Sequence, residues 1–294
     1  MRKHHRHSRC YRMRRWIRHN SKAFLGSSVI IMVAVLVAGN ILYRSYQKQN
    51  SMHVTSGNSI DMKDGYRTIE YNGKEYQYNT QMLTILYAEI DSEGKMQADT
   101  MYGNKARVLN ASLLILDKKK EKINIITLDN ETISKMHSYS EDGRDMGLVS
   151  GMLRDAYSYG DGGKVSCENL KETVEKLLDG ITINEYVVAN RSSKEQIKEL
   201  ADGLMAYIGE LSKKFQEDPD LLINEGKIAD EYLQTSITKN KYQSIAQAID
   251  KTSEGLVDYY QLQGKTEKNG NEEFFYPDEQ QLKQLIIDLF YIEI

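Results

Sequence analysis

The stretch from Asn110 to Thr132 reads NASLLILDKKKEKINIITLDNET. Leu113, Leu114, Ile115 and Leu116 form a continuous apolar run closed by Asp117. A cationic turn follows (Lys118, Lys119, Lys120, Glu121, Lys122), and Ile123 to Leu128 then resume a branched, apolar pattern. Two short runs of this kind, split by a few polar residues, predict a hairpin at the centre of a sheet. Asp129, Asn130, Glu131 and Thr132 form the exit loop, where a site is expected.

Working outward, Tyr66 to Tyr71 and Lys74 to Tyr78 alternate around Asn72-Gly73, the strongest short hairpin signal. Leu83 to Ile90 predicts a further strand ending at Asp91, and Gly94 to Lys105 a loop. Met136 to Gly147 is polar and without clear period, and Met152 to Tyr159 predicts a short helix stopped by the glycines of 160–163. Ser166 is placed to cap a helix carrying Leu170, Val174, Leu177 and Leu178 on one face. Gly180 ends it, and Ile181 to Ala189 predicts a strand. Ser193 with Gln196 predicts a capping box ahead of a helix bearing Ile197, Leu200, Ala201, Leu204, Ile208 and Leu211.

Downstream, helical stretches at 221–233 and 239–249 flank a strand near 256–262. A hairpin around Asn269-Gly270 leads to Phe274, Phe275 and Tyr276. Pro277 and Asp278 then open a last helix with Leu282, Leu285, Ile286 and Leu289 inward. Strands alternating with helices give the expected class: α/β, a mixed central sheet covered by helices on both faces.

The charge is distributed in two compartments. Residues 1–22 hold nine Arg or Lys and no acid, which leaves 30 bases against 42 acids, a net of −12, for the remainder. Between Lys22 and Arg44, the 21 residues from Ala23 to Tyr43 carry no charge. At about 1.5 Å per residue they span a hydrocarbon core of roughly 30 Å. The basic flank sets the orientation, N-terminus inside. A cleaved signal peptide is the competing reading; the long apolar core and the poor cleavage site at Gly39, Asn40, Ile41 argue against it. The expected organisation is a basic cytoplasmic tail (1–22), a transmembrane helix (23–43), a stalk (44–65) and an extracytoplasmic domain (66–294). Positive-inside topology accounts for the basic tail without nucleic acid as a partner. Cys10 and Cys167 are the only cysteines, and the membrane separates them, so the outer domain relies on its core.

The common catalytic patterns are missing. Only His53 and His137 lie beyond the predicted span, and no Walker loop, dinucleotide turn or His/Cys metal cluster occurs. The glycines of 160–163 fit a turn better than a phosphate cradle.

Several stretches together resemble the LytR–CpsA–Psr family of membrane-anchored cell-envelope proteins, in the form found in Gram-positive Clostridia. They are Tyr71 to Tyr76, Ile85 to Asp91, Leu113 to Asp117, Ile123 to Thr132, Ala156 to Gly163 with Ser166 to Asn169, Leu177 to Val188, Glu273 to Asp278 and Asp288 to Tyr291. The resemblance covers roughly residues 66–205 and 220–294. It implies transfer of glycopolymers from a polyprenyl-pyrophosphate carrier to peptidoglycan outside the plasma membrane, with a divalent metal, Mg²⁺, neutralising the pyrophosphate.

The chain departs from that pattern where the chemistry sits. Asp91 matches a family carboxylate, but Glu93 stands where an Arg is usual. Leu109, just after Arg107, replaces an Asp, and Leu ligates no metal. Where the family reads Pro-Arg-Asp-Thr, this chain has Asp129-Asn130-Glu131-Thr132. A family segment with paired arginines is absent; Leu204 to Leu221 offers only Lys213 and Lys214. Losing one group that stabilises developing charge commonly costs about 2.7–4 kcal/mol. The resemblance therefore implies a degenerate site: a non-catalytic binding or regulatory homologue for a lipid-linked pyrophosphate glycan, acting beside an active paralogue and needing no cofactor. The alternative is a divergent phosphotransferase with Arg107 and Glu131 as catalytic residues, Arg154 binding substrate and Asp91 holding Mg²⁺. Asp91 and Glu131 also fit as plain hydrogen-bonded carboxylates at strand ends. A structural envelope protein with no ligand is the third reading.

Overall fold

A computed structural model describes residues 61–63, 66–198, 200, 203–217, 231–251 and 257–294. The predicted basic tail, transmembrane segment and most of the stalk lie outside them. Among the described residues no helix is long and apolar enough to cross a membrane.

The central sheet has six strands: β4 (Met82–Ile90), β5 (Val108–Asp117), β6 (Lys122–Leu128), β9 (Glu185–Asn190), β10 (Leu233–Thr235) and β11 (Val257–Gln261). Their order is β10-β9-β4-β5-β6-β11. The β5–β6 hairpin pairs Leu113 with Ile126 and Asp117 with Lys122. Asp117 closes it, accepting the N–H groups of Lys119 and Lys120 at 3.0 Å each. β4 runs antiparallel to β5 and parallel to β9, and β11 runs parallel to β6. The sheet is therefore mixed.

Both faces are buried, which explains the unbroken apolar runs. Leu86, Ala88, Leu113, Ile115, Ile126 and Val188 face a core shared with α1 (Lys164–Leu177) and α5 (Glu279–Phe290). Their neighbours Ile85, Tyr87, Leu114, Leu116 and Val187 face the opposite core, with α3 (Leu204–Glu217) and α4 (Lys239–Lys251). The two helix stripes foreseen in the sequence thus lie on opposite sides: Leu170 and Val174 in one core, Ile197, Leu200 and Leu204 in the other.

A second sheet joins β1 (Asp61–Lys63), β2 (Tyr66–Tyr71), β3 (Lys74–Tyr78) and β14 (Tyr291–Glu293), all antiparallel. Asn72 and Gly73 turn β2 into β3 with φ of 51° and 74°, as an Asn-Gly hairpin requires. Asp278 accepts the Gln281 N–H and starts α5 where the sequence places it.

Several local expectations need correction. The polar stretch after the exit loop is a hairpin, β7 (Ile133–Tyr139) and β8 (Asp145–Met152). It pairs only with itself and is half exposed, so no alternation marks it. The helix expected at 152–159 is a single 3-10 turn, Leu153–Asp155.

Ser166 lies inside α1 and does not cap it. Asp161 does that work, accepting the N–H groups of Gly163 and Ser166 at 2.7 and 3.2 Å. A side chain at Gly160 would meet the Ser166 nitrogen at 2.5 Å, so this glycine is there for close packing.

The helix expected from Ile197 is broken. A short α2 (Arg191–Gln196) is capped by Asn190, whose side chain and backbone exchange hydrogen bonds with Ser193. Gly203, at φ 100°, then precedes α3. Similarly, the strand expected from Ile181 begins only at Glu185. Leu233 opens β10, while the rest of the helix expected at 221–233 lies almost wholly outside the described residues.

Candidate functional site

The sheet end formed by the exits of β4 and β6 and the entry of β5 gathers the residues singled out in the sequence. The β4–β5 register slips there: Glu89 pairs with Asn110 but Ile90 with Val108, so Leu109 bulges out and is 37% exposed. Bulges of this kind re-aim side chains at sheet ends. Asp91 follows the bulge. Its Oδ1 accepts the Arg107 N–H at 2.7 Å, and its own N–H donates to the Arg107 carbonyl at 3.0 Å. Asp91 therefore closes the strand end. The Arg107 side chain turns the other way, to Asp155, with Nε 3.1 Å from Oδ1.

The exit loop is closed on itself. Asp129 accepts the Glu131 N–H through its side chain, and both the N–H and hydroxyl of Thr132 through its carbonyl, at 3.1 and 2.6 Å. Asn130 points its amide at the Leu109 carbonyl, 3.1 Å away. Glu131 faces Arg154, whose Nη1 lies 2.7 and 2.9 Å from its two oxygens; both side chains are three-quarters buried or more. Charge-assisted contacts this short are strong. Arg154 is fixed from its backbone, which donates to the Asn130 carbonyl at 2.9 Å.

A second carboxylate reaches Arg154. Glu272 begins β13 (Glu272–Pro277), which pairs with β12 (Gly264–Asn269), and its Oε1 is 3.3 Å from Arg154 Nη2. The β12–β13 hairpin is joined to the exit loop by the Phe275 N–H donating to the Glu131 carbonyl and by a Thr132–Phe275 bridge. Nearby, Glu93 lies 3.7 Å from Arg191, both well exposed.

Glu89, on the other face of the sheet, has three partners. Tyr87 donates its hydroxyl at 2.9 Å, Lys194 approaches to 2.6 Å and the Asn110 amide to 3.3 Å. Burial alone would push this carboxyl up; the three hydrogen bonds and the Lys194 charge outweigh it and hold Glu89 below the usual range. Burial pushes the Tyr87 hydroxyl far up, so it remains a donor.

The structure thus brings Arg107, Glu131 and Arg154 to one corner beside Asp91, and shows each arginine held by a carboxylate. Asp155 and Glu272 were not singled out in the sequence. Asp155 carried a weak signal, as an acid beside Arg154; Glu272 carried none, being 118 positions from its partner. The residues present do not fit a resident Mg²⁺ site. That ion wants near-ideal octahedral oxygen coordination. Here Asp91 is engaged with backbone, Asp155 with Arg107, and Leu109 offers nothing. Among the described residues, no three His, Cys, Asp or Glu side chains are grouped to hold a metal.

This α/β domain, a mixed six-stranded sheet between helical layers, has a fold of the LytR–CpsA–Psr type. Among solved structures, the chain is similar to a Bacillus subtilis protein described as the transcriptional regulator yvhJ, at 18% identity and TM-score 0.50, covering 72% of this chain and 96% of that one. It is also similar to B. subtilis TagV, at 17% identity and TM-score 0.48 with the same coverage. An Enterococcus faecalis protein described as a transcriptional regulator aligns at 15% identity and TM-score 0.49, over 71% of this chain and 86% of that one. No protein-family model matches the sequence, nor does any curated protein.

Proposed function

We propose that the protein is a membrane-anchored, extracytoplasmic component of cell-envelope glycopolymer assembly that binds a polyprenyl-(pyro)phosphate-linked glycan without turning it over. Residues 23–43 anchor it in the plasma membrane of a Gram-positive bacterium, and an active homologue supplies the chemistry it lacks. The motif order and the fold support the setting. One observation carries the loss of catalysis: each arginine at the corner already has a carboxylate partner, Arg107 with Asp155 and Arg154 with Glu131 and Glu272. Cleaving a pyrophosphate needs cations aimed at developing charge. Cations neutralised from within the chain do not provide that.

The clustering of Arg107, Glu131 and Arg154 beside Asp91 is what favours the second reading, a divergent phosphotransferase working through those four residues. Native mass spectrometry of the full chain purified in detergent tests the binding claim. The expected result is a co-purified polyprenyl phosphate, or its uptake on titration, with affinity changing little between low and high salt because few unpaired charges remain to be screened. A protein that purifies empty and ignores added lipid overturns the proposal.

A further inference from the structure

The guanidinium of Arg154 is fully used on one side only. Nη1 meets both oxygens of Glu131 at 2.7 and 2.9 Å. Nη2 has the longer contact to Glu272, at 3.3 Å, and Nε is buried with no hydrogen-bond partner. Nε and Nη2 share one edge of the planar fork, whose two parallel N–H groups match two oxygens of a carboxylate or phosphate. A buried N–H without a partner is costly. This edge is a poor resting arrangement, with two N–H donors underused.

The β12–β13 hairpin brings Glu272 to Nη2. It pairs with neither large sheet. Phe275, buried and bonded to the exit loop, anchors it in its second strand. Glu272 sits three residues from that anchor, next to the Gly270–Asn271 tip, and its side chain is 59% exposed. An ion pair with so exposed a partner is held loosely. The whole of β12 is exposed, so little packing resists movement of the tip.

We propose that Glu272 is an internal stand-in for an anionic ligand: it rests on Arg154, and a phosphate or diphosphate group displaces it, taking Nε and Nη2 together as the hairpin tip swings away. This rests on reading the corner as the head-group end of a lipid-linked carrier, and adds a gate to it. With Glu272 in place, Arg154, Glu131 and Glu272 sum to one negative charge, which repels an anion. With Glu272 withdrawn the sum is zero and the donor edge is open. The gate makes the head-group site weak in the resting protein and ties its opening to the hairpin.

The test titrates inorganic pyrophosphate into the full chain in detergent, by calorimetry, for wild type, Glu272→Gln, Glu267→Gln and the double variant Glu272→Gln/Arg154→Met. Glu272→Gln is expected to bind about fivefold tighter, the scale of an exposed ion pair. Glu267→Gln removes the same charge from the same hairpin, away from Arg154, and is expected to match wild type. The double variant is expected to lose the gain. Should it fail to fold by circular dichroism, Glu272→Gln/Arg154→Lys, which keeps the charge without the fork, is expected to lose the gain as well. No gain in Glu272→Gln, or an equal gain in Glu267→Gln, overturns the gate. Repeating the titration with a short-chain polyprenyl monophosphate separates the two readings. Lipid binding with no pyrophosphate gain rejects the gate alone. A pyrophosphate gain without lipid binding keeps the gate, as a seat for a soluble phosphate, and rejects the carrier reading.

Discussion

Asn130 turns its side-chain amide back onto the carbonyl of Leu109, 3.1 Å away. That carbonyl belongs to the residue that bulges out of the β4–β5 ladder, so regular strand pairing does not serve it. Asn130 thus has a structural task at the bulge. Asn130→Ala is therefore expected to destabilise the domain by about 1–2 kcal/mol, the cost of leaving such a group unpaired. Urea unfolding followed by circular dichroism measures this; an unchanged midpoint would show the bond to be dispensable.

Arg154 and Glu131 are mostly buried partners, so removing either leaves an uncompensated charge. Each of Arg154→Met and Glu131→Gln should destabilise the domain, and the double variant should cost less than the sum. A coupling energy of about 1–3 kcal/mol is expected from the double-mutant cycle. Additive losses would mean that the pair is a bystander.

Glu89 sets a pH dependence. Its carboxyl lies below the usual range in the folded protein, burial being outweighed by bonds from Lys194, Tyr87 and Asn110. A depressed folded value gives stability that is fully present above the unfolded Glu value of about 4.3 and lost as pH falls through the folded one. The stability difference between wild type and Glu89→Gln should therefore hold steady above about pH 4.3 and shrink as pH falls below it. A difference that stays constant as the pH is lowered through that point would contradict the assignment.

The proposed orientation, N-terminus inside, rests on the nine cations and no acids before Ala23. Protease added to intact protoplasts is expected to remove residues beyond the stalk. Survival of that domain, while a known external protein is digested, would reverse the proposed topology.

Much of the fold was legible because its signals are local. The Asn72-Gly73 hairpin, the Asn110 to Thr132 hairpin and the Asp278 cap each lie within a few residues. The failures have separate physical causes, each a contact or a backbone turn that the local pattern does not display. Ser166 looks like a cap, but Asp161, held by the close approach of Gly160, takes the donors instead. The apolar period of Ile197, Leu200, Leu204 and Ile208 does survive as one buried face, although Gly203 interrupts the helix that would have produced it. At the site, Arg107, Glu131 and Arg154 were visible as residues, but their pairing was not. The charge balance of the corner depends on Asp155 and on Glu272, which only folding brings to it.

Binding without turnover is tested by incubating the full chain with a polyprenyl-diphosphate-linked glycan and Mg²⁺ or Mn²⁺ and measuring both bound donor and released polyprenyl phosphate. The expected result is bound donor with no release above the buffer control. Release by the wild-type chain that Arg154→Met abolishes would contradict the account and establish a working transferase.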